Sequence, residues 1–318
     1  MIKPSSALVV AISMALLTIG PAMADEFIEP ARDGTTRHGT VEVVDQGQGP
    51  LYALRYDWTV GESRAVRFTI TRAETVEIDG QPMARWATSP FLIDTDVTVT
   101  RAFDDGTYEV VTEIVATGLV DASSSDVDAS ALATSLETLV GVTIRERFDD
   151  RGNRTEASVS DPIGDGTAQH PARDSVPGIM EHMVLQLPAE PIGVGGTWEV
   201  VTHLADESGL EIVGTTRNTV TAVDSAGTFL IETADTADQT VLPQSIDGST
   251  ILPGAHVIVD IIEEHGESVS RLDPTTPLPA YAGGWSMALQ MGIDAEGRSF
   301  EYASTAHTEL TIDPEGVP

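Results

Sequence analysis

The clearest pattern along the chain is an alternation of apolar residues with small or polar residues near its carboxyl end. A turn at 294–297 separates two such alternating runs. Because successive side chains of a strand point to opposite faces, the pattern predicts a β-hairpin with one apolar face. The apolar positions of this hairpin are Trp285, Met287, Leu289, Met291, Ile293, Phe300, Tyr302, Ala306, Leu310 and Ile312.

A second alternating pattern predicts a long strand in the amino-terminal part of the chain. Its apolar residues all have even numbers and therefore lie on the same side of the strand, which predicts that this face is buried in a sheet. Turn residues at 79–82 and 104–106 separate this strand from further alternating runs, which predicts an antiparallel meander. The residues of the buried face are Val66, Phe68, Ile70, Val76 and Ile78.

Two segments show helical spacing instead. Leu132, Leu136 and Leu139 recur at intervals of three and four residues and predict a helix over 127–140. A second apolar cluster, ended by two prolines, predicts a short helix over 176–187. We expect both helices to pack on the sheet.

The composition and turn signals divide the chain into five parts. The stretch at 161–174 is rich in glycine, proline and aspartate and has no periodicity, which is typical of a linker. The parts are a signal peptide at 1–24, a flexible acidic lead-in at 25–49, a β-rich half with one helix at 50–160, the linker at 161–174, and a short helix with a second β-rich half at 175–318.

The two β-rich parts share a sequence feature that suggests duplication. Val60-Gly61 and Val194-Gly195 both lead into a predicted strand, and the two pairs are 134 residues apart. Turns of this type also recur by chance in β-rich chains, so both readings stay open. The predicted fold class is therefore mainly β, a long curved antiparallel sheet or half-barrel, with two similar halves if the repeat is real.

The first 24 residues have the order of an export signal. Lys3 gives a positive start, residues 7–19 are uncharged and apolar, and a small-residue cleavage site ends at Ala24. The apolar run is shorter than the roughly 20 residues that a membrane-spanning helix requires. The chain has no cysteine to carry a lipid, so we expect a protein exported to the periplasm or beyond, with no membrane span.

The charge of the chain restricts its partners. Lys3 is the only lysine, and without residues 1–24 the chain has 16 arginines against 50 acidic residues, a net charge of −34. Such a field repels phosphate groups, so the composition argues against nucleic acid as a partner. The excess acid is explained by a solvated acidic surface, or by a surface that binds cations.

Sequence signatures of catalysis and metal binding are absent or weak. The chain lacks G-x-S-x-G, H-E-x-x-H and P-loop motifs, and no cofactor is predicted. His265 with Glu263 and Glu267 is a weak metal candidate, although the Glu-Glu-His-Gly-Glu stretch more readily predicts a solvated turn between strands. Asp94 and Asp96 lie on the same side of a predicted strand, as paired carboxylates or as part of a solvent-facing stripe.

The apolar face of the last hairpin supplies the candidate ligand site. Flat aromatic rings and adaptable methionines suit a lipid-like ligand, whereas the same residues would also serve as ordinary core. The candidate residues of this cavity are Trp285, Met287, Leu289, Met291, Phe300 and Tyr302.

Two segments carry a resemblance to a known group of proteins. The stretch from Leu51 to Ser63 contains L-R-Y and V-G-E, and the stretch from Leu187 to Trp198 contains P-x-x-P-I-x-V-G-x-x-W. With these motifs the chain resembles an uncharacterised family of secreted bacterial proteins. Its strand plan is also similar to the half-barrels of periplasmic lipoprotein and lipid carriers. The resemblance implies a fold and supplies no activity.

Three functional hypotheses follow from these patterns. The first is non-enzymatic binding of an apolar small molecule or a component of the cell envelope. The second is a structural or interaction module of the envelope that uses exposed strand edges. The third, a minor alternative, is a carboxylate-dependent hydrolase that uses Asp94 and Asp96.

Overall fold

A computed structural model gives the architecture of the chain. It describes residues 38–121, 129–160, 184–205, 211–239, 244–247, 256–295 and 298–314. The predicted signal peptide, the linker and the first part of the lead-in lie outside the described residues. No helix among the described residues is long and apolar enough to cross a membrane.

The described residues form sixteen strands and one helix. The elements of the amino-terminal part are β1 (His38–Asp45), β2 (Gln48–Tyr52), β3 (Ser63–Ile78), β4 (Gln81–Ala87), β5 (Phe91–Ala102), β6 (Tyr108–Leu119), α1 (Ala129–Glu137), β7 (Thr143–Phe148) and β8 (Arg154–Ser160). The elements of the carboxyl-terminal part are β9 (Ile192–Val194), β10 (Thr197–Ala205), β11 (Glu211–Val223), β12 (Phe229–Gln239), β13 (Gln244–Asp247), β14 (His256–Leu272), β15 (Ala280–Ala295) and β16 (Arg298–Asp313).

One antiparallel sheet contains most of these strands. Its order is β1-β10-β11-β12-β14-β15-β16-β3-β5-β6-β7-β8, and β4 and β13 pair beside this path with β3 and β14. A small second sheet joins β2 to β9. The predicted mainly β fold with a long curved antiparallel sheet is confirmed, and the halves meet where β16 pairs with β3.

The first strand belongs to the carboxyl-terminal half of the sheet. β1 pairs antiparallel with β10, from His38 opposite His203 to Asp45 opposite Thr197. The expectation of a flexible lead-in is therefore wrong for His38–Asp45. Its short Val-Glu-Val-Val pattern finds a partner strand more than 150 residues away, which local composition does not reveal.

The two halves repeat the same backbone hydrogen bonds at the start of their first long strand. The Gly61 N–H donates to the Val99 carbonyl at 2.8 Å, and the Gly195 N–H donates to the Val220 carbonyl at 2.7 Å. Each valine returns its own N–H to the carbonyl of the residue after the glycine, at 3.0 and 2.9 Å. Both glycines have positive φ, which an L side chain rarely adopts.

The next hairpin of each half also has the same turn. The Phe103 N–H donates to the Thr107 carbonyl at 2.8 Å, and the Asp224 N–H donates to the Thr228 carbonyl at 3.0 Å. In both turns the glycine before the threonine has positive φ. The β7–β8 hairpin has the same turn, in which the Asp149 N–H donates to the Asn153 carbonyl at 3.0 Å, so turns of this type also recur within one half.

One hydrophobic core spans both halves. Val110 in β6 and Val200 in β10 lie near opposite ends of the strand path and still belong to the same core cluster. The sheet therefore curves around its buried side, which carries Val66, Phe68 and Ile70 and is called the inner face below. Helix α1 covers part of it through the buried Leu136.

Two irregular segments fill the space above the inner face. Trp58 lies in the first, and its indole N–H donates to the Thr276 carbonyl at 2.9 Å. Trp198 begins β10, and its indole donates at 2.8 Å to the carbonyl of Gln186 in the second segment. The indole groups of Trp58 and Trp198 are thus satisfied by backbone carbonyls. These hydrogen bonds attach both segments to the carboxyl-terminal half.

One sequence-based expectation about these segments needs correction. The first segment follows β2, and the chain continues from Tyr52 to Trp58 without ladder partners because it crosses the core. The helix predicted over 176–187 lies mostly outside the described residues. Its described part, Val184 to Leu187, is not helical, because these residues extend across the sheet toward the β7–β8 turn.

Gly47 gives a test of the contact between β1 and the carboxyl-terminal half. A Cβ at this position would meet the Gly196 nitrogen and lie 2.6 Å from the Val194 carbonyl oxygen, both of which are backbone atoms. We expect Gly47→Ala to lower the free energy of unfolding by about 3 kcal/mol or more, because strain at positive φ adds to a backbone clash.

Gly49→Ala is the matched control for this change. Gly49 also has positive φ, but a Cβ there would meet nothing within 4 Å. It should cost only about 1 to 2 kcal/mol in urea denaturation. Equal losses for the two variants would contradict the close packing of the β1 connection.

Candidate functional site

The structure brings the six predicted cavity residues together on the inner face of β15 and β16. Met291 lies directly opposite Tyr302 in the ladder. Leu289, Met291 and Tyr302 are buried, whereas Trp285, Met287 and Phe300 are partly exposed. The set is called the hairpin face below, and it comprises Trp285, Met287, Leu289, Met291, Phe300 and Tyr302.

The same face continues onto β3, where it carries a buried ion pair that the sequence analysis missed. Arg72 Nη2 lies 3.5 Å from Glu74 Oε2, and the side chains are only 12% and 2% exposed. Arg72 is opposite Thr308 and Glu74 is opposite Ala306 in the β16 ladder. A charged pair therefore borders the hairpin face, one strand away from it.

Burial governs the electrostatics of this pair. Desolvation raises the pKa of Glu74 and lowers the pKa of Arg72, and the attraction between the two groups opposes both shifts. Burial, together with the nearby Glu74 carboxylate, also raises the pKa of the Tyr302 phenol well above its usual range. These are the shifts expected when charges leave water for a low-dielectric environment.

Three buried donors in this region have no hydrogen-bond partner among the described residues. They are Nε of Arg72, the hydroxyl of Tyr302 and the indole nitrogen of Trp86, which lies opposite Glu74 in the β3–β4 ladder. Buried polar atoms are nearly always paired in native proteins. We therefore expect their partners to be water, other parts of the chain or a bound molecule.

The sequence did contain a signal for the ion pair. Positions 72 and 74 continue the series of even-numbered positions 66, 68 and 70. Because every second side chain of a strand points to the same side, the sequence already predicts that both lie on the buried face. Charged residues at positions of an apolar stripe are uncommon unless they are paired.

A polar cavity of about 130 Å³ opens on the inner face of the carboxyl-terminal half. It lies between β10, β11, β12, β14 and β15 and is covered by the irregular segment at 184–186. None of the six predicted cavity residues lines it. The residues that line it are Val184, Leu185, Gln186, Val200, Thr202, Thr216, Asn218, Thr233, Asp235, Ser268 and Tyr281.

The cavity is adjacent to the hairpin face. Asp235 is opposite Gly266 in the ladder, and Gly266 is opposite Trp285. Trp285 lies on β15, the same strand that supplies Tyr281 to the cavity wall. The polar cavity, Trp285 and the ion pair thus follow one another across a single face of the sheet.

Hydrogen bonds hold the floor of the cavity in place. The buried Thr233 hydroxyl donates to Asn218 Oδ1 at 2.9 Å, between adjacent strands β12 and β11. The carbonyl oxygen of the Gln186 side chain is buried and has no donor among the described residues. The cavity therefore combines fixed polar groups with an acceptor that is not used inside the protein.

The predicted carboxylate pair does not form a catalytic arrangement. Asp94 is engaged by Arg67 through two hydrogen bonds, from Nε at 2.7 Å and Nη2 at 2.8 Å. Asp96 is exposed on the outer side of β5. A carboxylate held by a bidentate arginine and a solvated one give no support to a shared acid and base.

The weak metal candidate also lies on the outer side of the sheet. The turn predicted around His265 is wrong, because His265 lies within β14 opposite Ser286. Glu263, His265 and Glu267 are exposed at every second position of this strand, about 7 Å apart. No group of three residues that could hold a metal ion occurs among the described residues.

Comparisons with known proteins add no family to this picture. No family model and no curated protein matches the chain. Among solved structures the chain is similar to OmpT (in-vitro folded), an outer membrane protein of Vibrio cholerae in its trimer form, at 8% identity and a TM-score of 0.18. The match covers 80% of this chain and 100% of that chain, and at this TM-score it carries no argument.

The Arg72–Glu74 pair predicts a non-additive response to mutation. We expect Arg72→Met and Glu74→Leu each to lower the free energy of unfolding by about 3 to 5 kcal/mol, because each leaves an uncompensated buried charge. The double variant should come within about 1 kcal/mol of the wild type or exceed it. Urea denaturation of all four proteins measures this coupling, and additive losses would contradict it.

A second buried pair predicts a pH dependence. Glu146 is 4% exposed, its Oε1 lies 3.2 Å from Arg154 Nη1, and burial raises its pKa. The folded state then binds the Glu146 proton more tightly than the unfolded state. Its contribution to stability is therefore greatest at low pH and declines as the pH rises through the raised pKa.

Glu146→Gln removes this titration. The free energy of unfolding of the variant relative to the wild type should increase as the pH rises from about 4, the usual range of an unfolded glutamate. Denaturation curves of both proteins across acidic to neutral pH measure the difference. A difference that shrinks with rising pH would contradict the shift.

Proposed function

We propose that this is a non-enzymatic binding protein, acting outside the cytoplasm, that takes an amphiphilic ligand on its inner face. The apolar part of the ligand lies on the hairpin face. The observation that carries the proposal is the partial exposure of Trp285, Met287 and Phe300 beside buried Leu289 and Met291. Exposed aromatic and methionine side chains on an inner face offer an adaptable apolar surface.

The neighbouring polar groups support an amphiphile over a purely apolar ligand. Arg72 Nε and the Trp86 indole lack acceptors and lie on the same face as Met287. An ester carbonyl or a hydroxyl of the ligand would satisfy them. The net charge of −33 disfavours an anionic ligand, so the proposed ligand carries no net negative charge.

The proposed location rests on the sequence of residues 1–24. Their positive start, uncharged apolar run and small-residue end are the features of a cleaved export signal. Export places the protein where amphiphiles of the cell envelope are available.

Trp285 provides the experiment. Trp58, Trp86 and Trp198 are buried, so that Trp285 is the partly exposed member of the four tryptophans. A monoacylglycerol with a brominated chain should quench the Trp285 fluorescence saturably, because bromine quenches only at short range. Trp285→Phe should remove the quenching, and Met287→Glu should weaken binding by about tenfold or more by placing a charge on the apolar face.

Met83→Glu is the matched control, since Met83 is exposed on β4. It should bind as the wild type does. Quenching that is absent in the wild type, or equal in the Met287→Glu and Met83→Glu variants, would contradict the proposal.

A structural or interaction role is the second candidate, and the ends of the sheet favour it. Among the described strands, β1 and β8 end the path and pair along one side only. Such edges can accept a strand from another protein. This role would leave the Trp285 fluorescence unchanged by any amphiphile.

A further inference from the structure

We propose that the polar cavity is a second binding site, for a single uncharged polyhydroxyl ring such as the pyranose ring of a sugar. The site shares β15 with the hairpin face through Tyr281, but none of the hairpin-face residues lines it. It stands whether or not the hairpin face binds an amphiphile.

The size of the cavity limits its occupant to one ring. Its volume is about 130 Å³, close to the roughly 150 Å³ of an engineered cavity that accepts benzene. A six-membered ring fits, whereas a lipid chain or a peptide segment does not. Polar walls also distinguish it from dry cavities, which are lined by leucine, isoleucine and phenylalanine.

The wall chemistry matches a ligand that both donates and accepts hydrogen bonds. Gln186 offers a buried carbonyl oxygen without a donor among the described residues. The Asn218 carbonyl oxygen is already used by Thr233, which leaves the amide nitrogen of Asn218 to donate. Hydroxyl groups of the ligand can serve both, because each is a donor and an acceptor.

The charge of the walls selects against anionic ligands. Asp235 is the charged residue among the described residues that line the cavity, and none of those residues is an arginine or a histidine. A phosphate or carboxylate would face Asp235 without a compensating cation. A sugar hydroxyl can donate to Asp235 at no such cost.

Tyr281 supplies a flat wall, and Gly283 allows it to lie close to the sheet. A Cβ at Gly283 would lie 2.7 Å from the Tyr281 hydroxyl oxygen and would also meet Ser268 Cβ. The absence of a side chain at this position therefore lets the Tyr281 ring lie along the strand. An aromatic wall with polar groups around it is suited to the apolar face and hydroxyl rim of a sugar ring.

Saturation-transfer NMR on the full exported chain tests the site. The neutral probes are methyl glucoside, methyl galactoside, methyl mannoside, N-acetylglucosamine and inositol, with glucuronate as the anionic counterpart. At least one neutral probe should bind saturably, and glucuronate should bind at least about tenfold more weakly.

Gln186→Leu is the decisive variant. It should weaken binding of the neutral probe by about five- to tenfold, because one hydrogen bond is lost. The melting temperature should stay the same or rise, because the replaced oxygen is buried without a partner. Gln290→Leu makes the same replacement at an exposed position of β15 and should change neither property.

Three outcomes would overturn the proposal. They are no binding of any neutral probe, equal or tighter binding of glucuronate, and unchanged binding in Gln186→Leu. Thr216→Trp, which fills the cavity from β11, should abolish sugar binding and leave the brominated monoacylglycerol quenching intact. Failure of the sugar site is thereby separated from failure of the hairpin face.

Discussion

The register of β16 against β3 is the constraint on which the rest of the structure depends. The two strands pair from Tyr302 opposite Ile78 to Asp313 opposite Arg67, and this ladder joins the halves into one sheet. A slip of one residue would turn Arg72 and Glu74 to the outer side and expose the apolar residues beside them. The register is fixed because twelve opposed pairs bury one face at once.

In both halves, the first long strand pairs with a strand from the opposite end of the chain. β16, the last strand, pairs with the first long strand of the amino-terminal half, and β1, the first strand, pairs with the first long strand of the carboxyl-terminal half. The turns also correspond: Asp149 and Asp273 each accept the N–H two residues further on, at 2.9 and 3.0 Å. The first long strand of each half therefore pairs with a strand from a distant part of the chain.

Much of the sheet could be predicted from the sequence, because alternation is a local signal. The alternating run from Trp285 to Ile293 and the stripe from Val66 to Ile78 both fall within long strands of the structure. The pairing of β1 with β10 could not be predicted, since nothing near His38–Asp45 shows which distant strand supplies its hydrogen bonds.

The apolar part of the candidate site could also be predicted from local alternation. Its apolar residues, such as Met287 and Leu289, follow from periodicity. The polar residues are harder to predict from the sequence. The charged neighbours of His265 indicate a turn, but exposed charges on one side of a strand recur at every second position just as regularly. The ion pair of Arg72 and Glu74 was overlooked because two charged positions interrupt an otherwise apolar stripe.

The unpaired polar atoms provide the strongest argument for a ligand. Nε of Arg72, the Trp86 indole, Oε1 of Gln186, Oγ of Ser270 and the hydroxyl of Tyr302 are buried and have no partner among the described residues. All five lie on the inner side of the sheet, in or near the two candidate sites. Each costs about 1 to 3 kcal/mol of stability if it stays unpaired.

Such a cost is unnecessary for the fold itself. The outer face, for example, pairs Arg67 with Asp94 through two short hydrogen bonds. A sheet that needed only a stable core would place apolar residues at positions 72, 186 and 270. Buried polar groups confined to one side of the sheet therefore fit a protein whose inner face completes its hydrogen bonds with a bound molecule.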